Sequence, residues 1–221
     1  MFKFIANSRW IHNLVSYLVN FIPILFTHNF SKYLSIKKVL YAVKIDKING
    51  DYCEFGCFTG ACLNHALNFH KFNMPSRAMK FYGFDSFAGF PEEVHSEFSS
   101  DQFTPNYKLV KKLENKFDNC SIIKGFFSET LNEKKIKEDI NNISVAFIDC
   151  DLGLSAEPVF EFIKSRLSNG SYIVIDDFYN LDENNDSILK RFYKHFKINQ
   201  NVFVHNYFGN AGVVFKFYND L

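Results

Sequence analysis

The chain has 221 residues, a length that fits one domain or one domain with an appendage. Its 25 Lys and Arg residues nearly balance 24 Asp and Glu residues. This balance excludes a bulk binder of the nucleic-acid backbone, because such proteins carry a basic excess. The hydrophobic content of 47% and the aromatic content of 18% exclude a disordered chain and indicate a large core.

The cysteines do not form a metal-binding pattern. Cys53, Cys57 and Cys62 lie close together, but their spacing is not the CxxC of a zinc site and no second pair follows. We assign no metal to them and expect reduced thiols in a cytoplasmic protein.

Residues 1–48 differ in character from the rest and are interpreted as an N-terminal helical appendage. Apolar residues recur at helical spacing from Trp10 to Phe26, and Pro23 interrupts them. The run is shorter than a membrane span and no small-residue cleavage site follows it. The pattern favours a helix used for packing on the domain, for dimerisation or as a lid. A peripheral membrane anchor remains the alternative.

From Asp51 onward, short apolar runs alternate with helical patterns. This alternation predicts a mostly parallel sheet with helices on both faces, in one domain over residues 49–221. The predicted strands are Tyr52–Gly56, Lys80–Phe84, Ser121–Lys124, Ser144–Ile148, Ser171–Ile175, Asn201–His205 and Val213–Tyr218. The predicted helices are Ala61–Phe72, Tyr107–Phe117, Glu129–Ile140, Ser155–Leu167 and Asn185–Phe196.

Three local signals refine this pattern. Ser155 is a reasonable N-cap, and Asn169-Gly170 is a reasonable end for the helix before it. The last two strands are joined by too few residues for a parallel crossover, so we expect the final pair to be antiparallel.

The ends of the first two strands carry candidate ligand-binding residues. Gly56 and Gly60 flank a tight turn in which the backbone can approach a ligand, and Glu54 could pair with a ligand ammonium. The turn is neither GxGxxG nor a Walker loop. Asp85, at the end of the second strand, could accept two ribose hydroxyls or equally cap the next turn.

Four carboxylates follow the fourth and fifth strands. Asp149 and Asp151 follow one apolar run, and Asp176 and Asp177 follow the next, with no Lys or Arg nearby in the sequence. Parallel neighbours end at the same edge of a sheet, so the four side chains should converge. Such hard oxygen ligands suit Mg²⁺, Mn²⁺ or Ca²⁺ rather than zinc.

These motifs, in this order, resemble the class I S-adenosylmethionine-dependent methyltransferases, and more narrowly the macrocin-type and novobiocin-sugar O-methyltransferases. The resemblance covers Gly50 to Phe178 and leaves out residues 1–48. Its motifs are GDYCEFG from Gly50, GFDSFAGFP from Gly83, KGFFSETL from Lys124, FIDCDL from Phe147 and IDDF from Ile175.

The resemblance implies a Rossmann-like sheet of seven strands with the last one antiparallel, and a role for each matching residue. Glu54, Gly56 and Gly60 would hold the methionine part of S-adenosylmethionine, and Asp85 and Ser86 the ribose. The adenine region would be lined by Gly125, Phe126 and Ser128. The divalent metal, Mg²⁺ or Mn²⁺, would be held by Asp149, Asp176 and Asp177, with Asp149 also near the cofactor and Asp151 as general base.

One departure and one loop bear on the substrate. The family often continues its fourth-strand motif as DLYxST, whereas this chain reads DLGLSA from Asp151. Phe87 to Thr104 has no clear periodicity, and we interpret it as a lid over the acceptor.

We therefore expect metal-dependent O-methylation of a sugar-type small molecule. The expected partners include neither nucleic acid nor membrane, and the protein should form a homo-oligomer, a dimer. The alternatives are a catechol or phenol O-methyltransferase and a DxD-type nucleotide-sugar glycosyltransferase. A scaffold domain that has lost catalysis is a third alternative.

Overall fold

A computed structural model describes residues 8–89, 104–181 and 185–219. The chain begins with two helices, α1 (Arg9–Val19) and α2 (Ile24–Ile45). The break at Pro23 is confirmed, since Pro23 is the residue immediately before α2. No single described helix is long and apolar enough to cross a membrane; α1 and α2 meet those criteria only as a pair, bent by 112°.

The remaining elements alternate as the sequence predicts. The strands are β1 (Asp51–Phe55), β2 (Phe81–Asp85), β3 (Cys120–Lys124), β4 (Ile143–Ile148), β5 (Leu167–Ile175), β6 (Val202–Phe208) and β7 (Gly212–Phe217). The helices are α3 (Ala61–Asn73), α4 (Tyr107–Lys116), α5 (Phe127–Thr130), α6 (Lys134–Asp139), α7 (Gly153–Lys164) and α8 (Ile188–His195).

The strands form one sheet in the order β3-β2-β1-β4-β5-β7-β6. Strands β1 to β5 are parallel, and β7 is antiparallel to both of its neighbours. The predicted Rossmann-like sheet with its antiparallel last strand is therefore confirmed.

The core lies in two layers, one on each face of the sheet. Side chains from α2, α3 and α4 pack on one face, and those from α6, α7 and α8 pack on the other. Helix α2 contributes Ile36, Val39, Leu40 and Val43, all fully or nearly fully buried. The second half of the predicted appendage is thus part of this core, whereas α1 has no buried residue.

Three predicted boundaries are wrong. The helix predicted over Glu129–Ile140 is two short helices, α5 and α6, separated by a turn. Helix α7 begins at Gly153, so Ser155 lies inside it rather than capping it. Asn169-Gly170 belongs to β5, at the irregular pairing with β4, where Gly170 has φ +85°.

Candidate active site

A cavity of about 810 Å³ opens at the carboxyl ends of the parallel strands. Of the predicted site residues, it is lined by Gly56, Asp85, Ser86, Phe126, Ser128, Asp149, Asp151, Asp176 and Asp177. Leu25, His28 and Lys32 of α2 also line it. Glu54, Gly60 and Gly125 are not among the lining residues, so the structure does not bring them to the cavity wall.

The turn after β1 brings its backbone against the end of β4. Gly56 has φ +93°, and a Cβ atom there would overlap the carbonyl oxygen of Asp149. Gly60 has φ +76° and immediately precedes α3. Only glycine adopts such conformations at little cost, so both glycines serve the turn itself.

Glu54 is fully buried beneath this turn. Its Oε2 accepts a hydrogen bond from the Tyr52 hydroxyl at 2.8 Å, and its Oε1 has no hydrogen-bond partner. Burial raises the pKa of Glu54 to about 8. A positively charged neighbour would stabilise the ionised form, but Glu54 does not reach the cavity wall, so its contact with a ligand ammonium stays a prediction.

Asp85 is held by backbone amides. Its Oδ2 accepts hydrogen bonds from the amides of Cys57 and Phe58, both at 2.9 Å, and its Oδ1 accepts one from Phe87 at 2.7 Å. The sequence left two roles open for Asp85, binding of ribose hydroxyls and capping of the next turn. The structure shows the cap. Ser86 beside it donates a hydrogen bond to the carbonyl of Gly89 at 3.0 Å.

The predicted adenine region follows β3. Gly125 has φ +143°, and a Cβ atom there would lie 2.7 Å from the Thr130 side chain. It positions Phe126, which is 40% exposed, and Ser128 at the cavity wall. Most of the predicted lid, residues 90–103, lies outside the described residues.

The four acids converge as predicted. The amides of Asp149 and Asp176 continue the ladder of the sheet, donating to the carbonyls of Phe55 and Ile148 at 2.8 and 2.9 Å. Carboxylate oxygens of Asp149, Asp151 and Asp177 lie within 4.8 Å of one another. Asp176 is buried beside them, and its Oδ1 has no hydrogen-bond partner.

Two basic residues of α2, Lys32 and His28, reach this acid cluster. The Lys32 ammonium lies 2.9 Å from Asp149 Oδ2 and also forms an ion pair with Asp176 Oδ2. His28 Nε2 lies 3.1 Å from Asp176 Oδ2, and its Nδ1 accepts a hydrogen bond from the Asn210 amide at 3.3 Å. Nε2 therefore carries the proton that is directed at Asp176.

The pKa values of the cluster reflect burial and crowding. Burial raises the pKa of Asp149 to about 7, against the opposing effect of Lys32. Asp151 is solvent-exposed at the cavity wall, but the protein atoms around it and the neighbouring Asp149 and Asp177 carboxylates raise its pKa to about 8. Burial alone would lower the pKa of Lys32, but the attraction of Asp149 and Asp176 raises it.

Asp151 and Asp177 also have left-handed backbones, with φ of +60° and +50°. Such conformations cost a non-glycine residue about 1–3 kcal/mol and cluster at functional sites. Asn180 Nδ2 donates a hydrogen bond to Asp177 Oδ1 at 2.8 Å.

The departure from the family motif has a structural cause. A Cβ atom on Gly153 would lie 2.8 Å from the Ser187 carbonyl oxygen, because the segment before α8 crosses the start of α7 at this point. The glycine permits this approach.

Sequence reasoning missed His28 and Lys32, because residues 1–48 were set apart from the domain. Their positions in the sequence could nevertheless have indicated their role. They lie four residues apart and continue the buried face of α2 that runs through Ile36, Val39 and Val43. Two basic residues on an otherwise apolar, inward helix face indicate a buried acidic partner.

Comparisons with known proteins now identify the family. The family model described as macrocin-O-methyltransferase (TylF) matches residues 31–215. The chain belongs to the macrocin O-methyltransferase family. It is therefore an S-adenosylmethionine-dependent O-methyltransferase, and the glycosyltransferase alternative is wrong. The match also begins inside the segment that we had left out of the resemblance, so that limit is wrong for residues 31–48.

Solved structures share the fold of this family member. Calicheamicin methyltransferase CalS11 is 20% identical with a TM-score of 0.71, covering 99% of this chain and 90% of that one. The O-methyltransferase NovP is 18% identical with a TM-score of 0.68, covering 86% and 80%. An O-methyltransferase from Bacillus cereus, solved in complex with SAH, is 14% identical with a TM-score of 0.55, covering 84% and 81%. A comparison with curated protein sequences finds no match.

Proposed function

We propose that this enzyme methylates a hydroxyl of a sugar or sugar-containing small molecule, with a divalent cation and with Asp151 as general base. The observation that carries the proposal is the acid cluster at the wall of the 810 Å³ cavity. The sugar class is supported by the family and by the CalS11 structures, one of which is described as a TDP-rhamnose 3'-O-methyltransferase.

The residues after β1, β2 and β3 would bind the cofactor. S-adenosylmethionine supplies an electrophilic methyl group on a sulfonium. The carboxylate of Glu54, beneath the turn, would balance the positive charge of the cofactor's ammonium group. Gly56 would let the backbone of the turn approach the methionine part of the cofactor. The Asp85 carboxylate already accepts three amides, and it retains lone pairs for a ribose hydroxyl. Phe126 and Ser128 would contact the base.

The acid cluster fits a divalent cation. Four carboxylates meet one Lys32 ammonium. Burial and crowding raise the pKa of Asp149 and Asp151, so a further cation would stabilise their ionised forms. The unpartnered, buried Oδ1 of Asp176 supports the same conclusion. Asp149, Asp176 and Asp177 would hold the ion, and carboxylate oxygens are the ligands that Mg²⁺ and Mn²⁺ prefer. When bound, the ion supplies positive charge that stabilises a developing oxyanion.

Asp151 is the best-placed base of the cluster. It is the exposed member and lines the cavity, whereas Asp176 is buried and occupied by Lys32 and His28. Its raised pKa makes the ionised carboxylate a stronger base than an ordinary aspartate, and a bound cation would favour that ionised form. Asp151 would accept the hydroxyl proton while the acceptor oxygen displaces the sulfonium sulfur at the methyl carbon.

The test is methyl transfer to a panel of acceptors. The purified enzyme with S-adenosylmethionine and Mg²⁺ is offered nucleotide sugars, sugar glycosides and catechols, and products are detected by mass spectrometry. We expect a sugar product that EDTA suppresses. Asp151→Asn should lower kcat by about 100-fold or more, since a positioned base contributes 10²–10⁴.

Asp118→Asn, an exposed aspartate outside the cavity, is the matched control and should keep full activity. Methylation of catechols alone would overturn the sugar assignment. Full activity of Asp151→Asn would overturn the base, and full activity in EDTA would overturn the cation. Binding of S-adenosylhomocysteine by calorimetry tests the cofactor site separately.

A further inference from the structure

Helix α1 and the start of α2 present a continuous apolar surface that no described residue covers. None of the eleven residues of α1 is buried. Trp10 is 64% exposed, Phe21 68% and Leu25 71%. The exposed set, here called the N-terminal apolar surface, is Trp10, Leu14, Val15, Tyr17, Leu18, Val19, Phe21, Ile22, Ile24, Leu25, Phe26, Phe30 and Leu34.

This surface is organised, because polar and apolar residues are segregated on α1. Arg9, Asn13 and Ser16 fall at helical spacing along one side, and Leu14 and Leu18 along another. A short helix with Trp and Leu on one face and polar residues on the other is the pattern of helices that lie in a membrane interface.

The outward side of α2 extends the apolar surface and adds positive charge beyond it. It is apolar from Phe26 through Phe30 to Leu34, and it then carries the exposed Lys37, Lys38 and Lys44. Apolar groups that enter a bilayer beside lysines at headgroup level are the two signals that stable peripheral binding needs.

Positive charge is concentrated in the N-terminal segment that carries this apolar surface. Residues 1–48 contain seven Lys and Arg residues and one acid, a net charge of +6, whereas residues 49–221 carry −5. One of the seven, Lys32, is buried and paired with Asp149 and Asp176, so it adds nothing to the charge of the exposed face. That single acid, Asp46, is bonded to Lys216 at 2.9 Å. A two-fold contact of this face with a second copy would bring the exposed lysines of both copies to one interface. An anionic surface complements the face.

From this we infer that α1 and the first half of α2 bind an anionic lipid bilayer surface. The inference goes beyond the proposed methylation, is independent of it and departs from our expectation of no membrane contact. Leu25 lines the cavity and also belongs to the N-terminal apolar surface. In the membrane-bound protein, the opening of the cavity would therefore lie close to the lipid headgroups.

Vesicle flotation of the full chain tests this inference. The vesicles contain phosphatidylglycerol mixed with phosphatidylcholine, or phosphatidylcholine alone. We expect the protein to float with the anionic vesicles and much less with the neutral ones. Raising the ionic strength from about 0.1 M to about 1 M should weaken binding, because the screening length falls from about 10 to about 3 Å.

A double variant, Leu14→Glu with Leu18→Glu, should lower the partition onto anionic vesicles by at least about tenfold. Neither residue is buried, so the fold should persist, which circular dichroism would check. Leu109→Glu, an equally exposed leucine on α4, is the matched control and should bind like the wild type.

Two results would overturn the inference: no flotation of the wild type with anionic vesicles, or equal flotation of the wild type and the double variant. If flotation fails and light scattering shows a dimer that the double variant converts to a monomer, the surface belongs to a second copy. Flotation does not depend on methyl transfer, so its outcome is separate from that of the acceptor screen.

Discussion

Lys32 is the residue that alters the electrostatics of the acid cluster most. Its ammonium compensates two of the three predicted metal ligands, Asp149 and Asp176, from a helix far away in sequence. Removing one partner of a buried ion pair leaves an uncompensated charge, which is costly. The site therefore depends on Lys32 whether or not a divalent cation is bound.

We predict that Lys32→Met lowers the free energy of unfolding by about 3 kcal/mol in EDTA, since the buried carboxylates lose their counter-charge. If the acids bind a divalent cation, Mg²⁺ should then raise the melting temperature of the variant more than that of the wild type. Thermal unfolding in EDTA and in MgCl2 measures both effects without reference to activity.

Lys37→Met, on the exposed side of the same helix, is the matched control and should respond like the wild type. The same Mg²⁺ shift in all three proteins, or none in any of them, would argue against a cation site formed by these acids.

At the scale of elements, the turn between β1 and α3 fixes where β4 ends. Gly56 combines φ +93° with the close approach of the Asp149 carbonyl. Any side chain at Gly56 would push this strand end away and displace the first carboxylate of the cluster. The turn thus couples the predicted cofactor loop to the acids.

Gly56→Ala should therefore destabilise the protein by about 3 kcal/mol, through overlap and backbone strain together. Gly170→Ala is the control for strain alone, because Gly170 has a similar φ of +85° but its Cβ would meet nothing closer than 3.4 Å. It should cost about 1 kcal/mol. Urea unfolding measures the loss of stability in both variants. Equal losses would mean that the contact with Asp149 is unimportant.

The succession of strands and helices and the acid cluster could be predicted because they rest on local signals. Alternating apolar runs fix the elements, and Asp149 and Asp176 follow neighbouring strands directly. The errors arose at residues whose conformation or partners are determined by tertiary contacts. Gly170 looks like a helix end, but it lies in β5 at the irregular pairing with β4. The pairing of Lys32 with the acids could not be predicted from spacing, because it depends on how α2 packs.

At the scale of the whole molecule, the first two helices divide into a part that folds with the domain and a part that does not. Ile36, Val39, Leu40 and Val43 of α2 are in the core, and burying each contributes about 1.5–3 kcal/mol. Their sum is comparable to the stability of an entire domain.

We therefore predict that deleting residues 1–48 prevents folding, whereas deleting residues 1–22 leaves the melting temperature nearly unchanged, because α1 buries nothing. Circular dichroism of the two truncated proteins measures this. A folded 49–221 fragment would show that the core tolerates the loss of α2 and would support the boundary predicted at residue 48.

The distance in sequence between α2 and its acidic partners also has a consequence in time. His28 precedes Asp176 by 148 residues. At synthesis rates of about 5–20 residues per second, α2 leaves the ribosome about 7–30 s before Asp176, which follows β5. During this interval the sheet edge that receives His28 and Lys32 is incomplete, and the side of α2 that stays exposed in the folded protein is uncovered. The nascent chain thus offers this apolar side of α2 to chaperones or a nearby bilayer before its active site is complete.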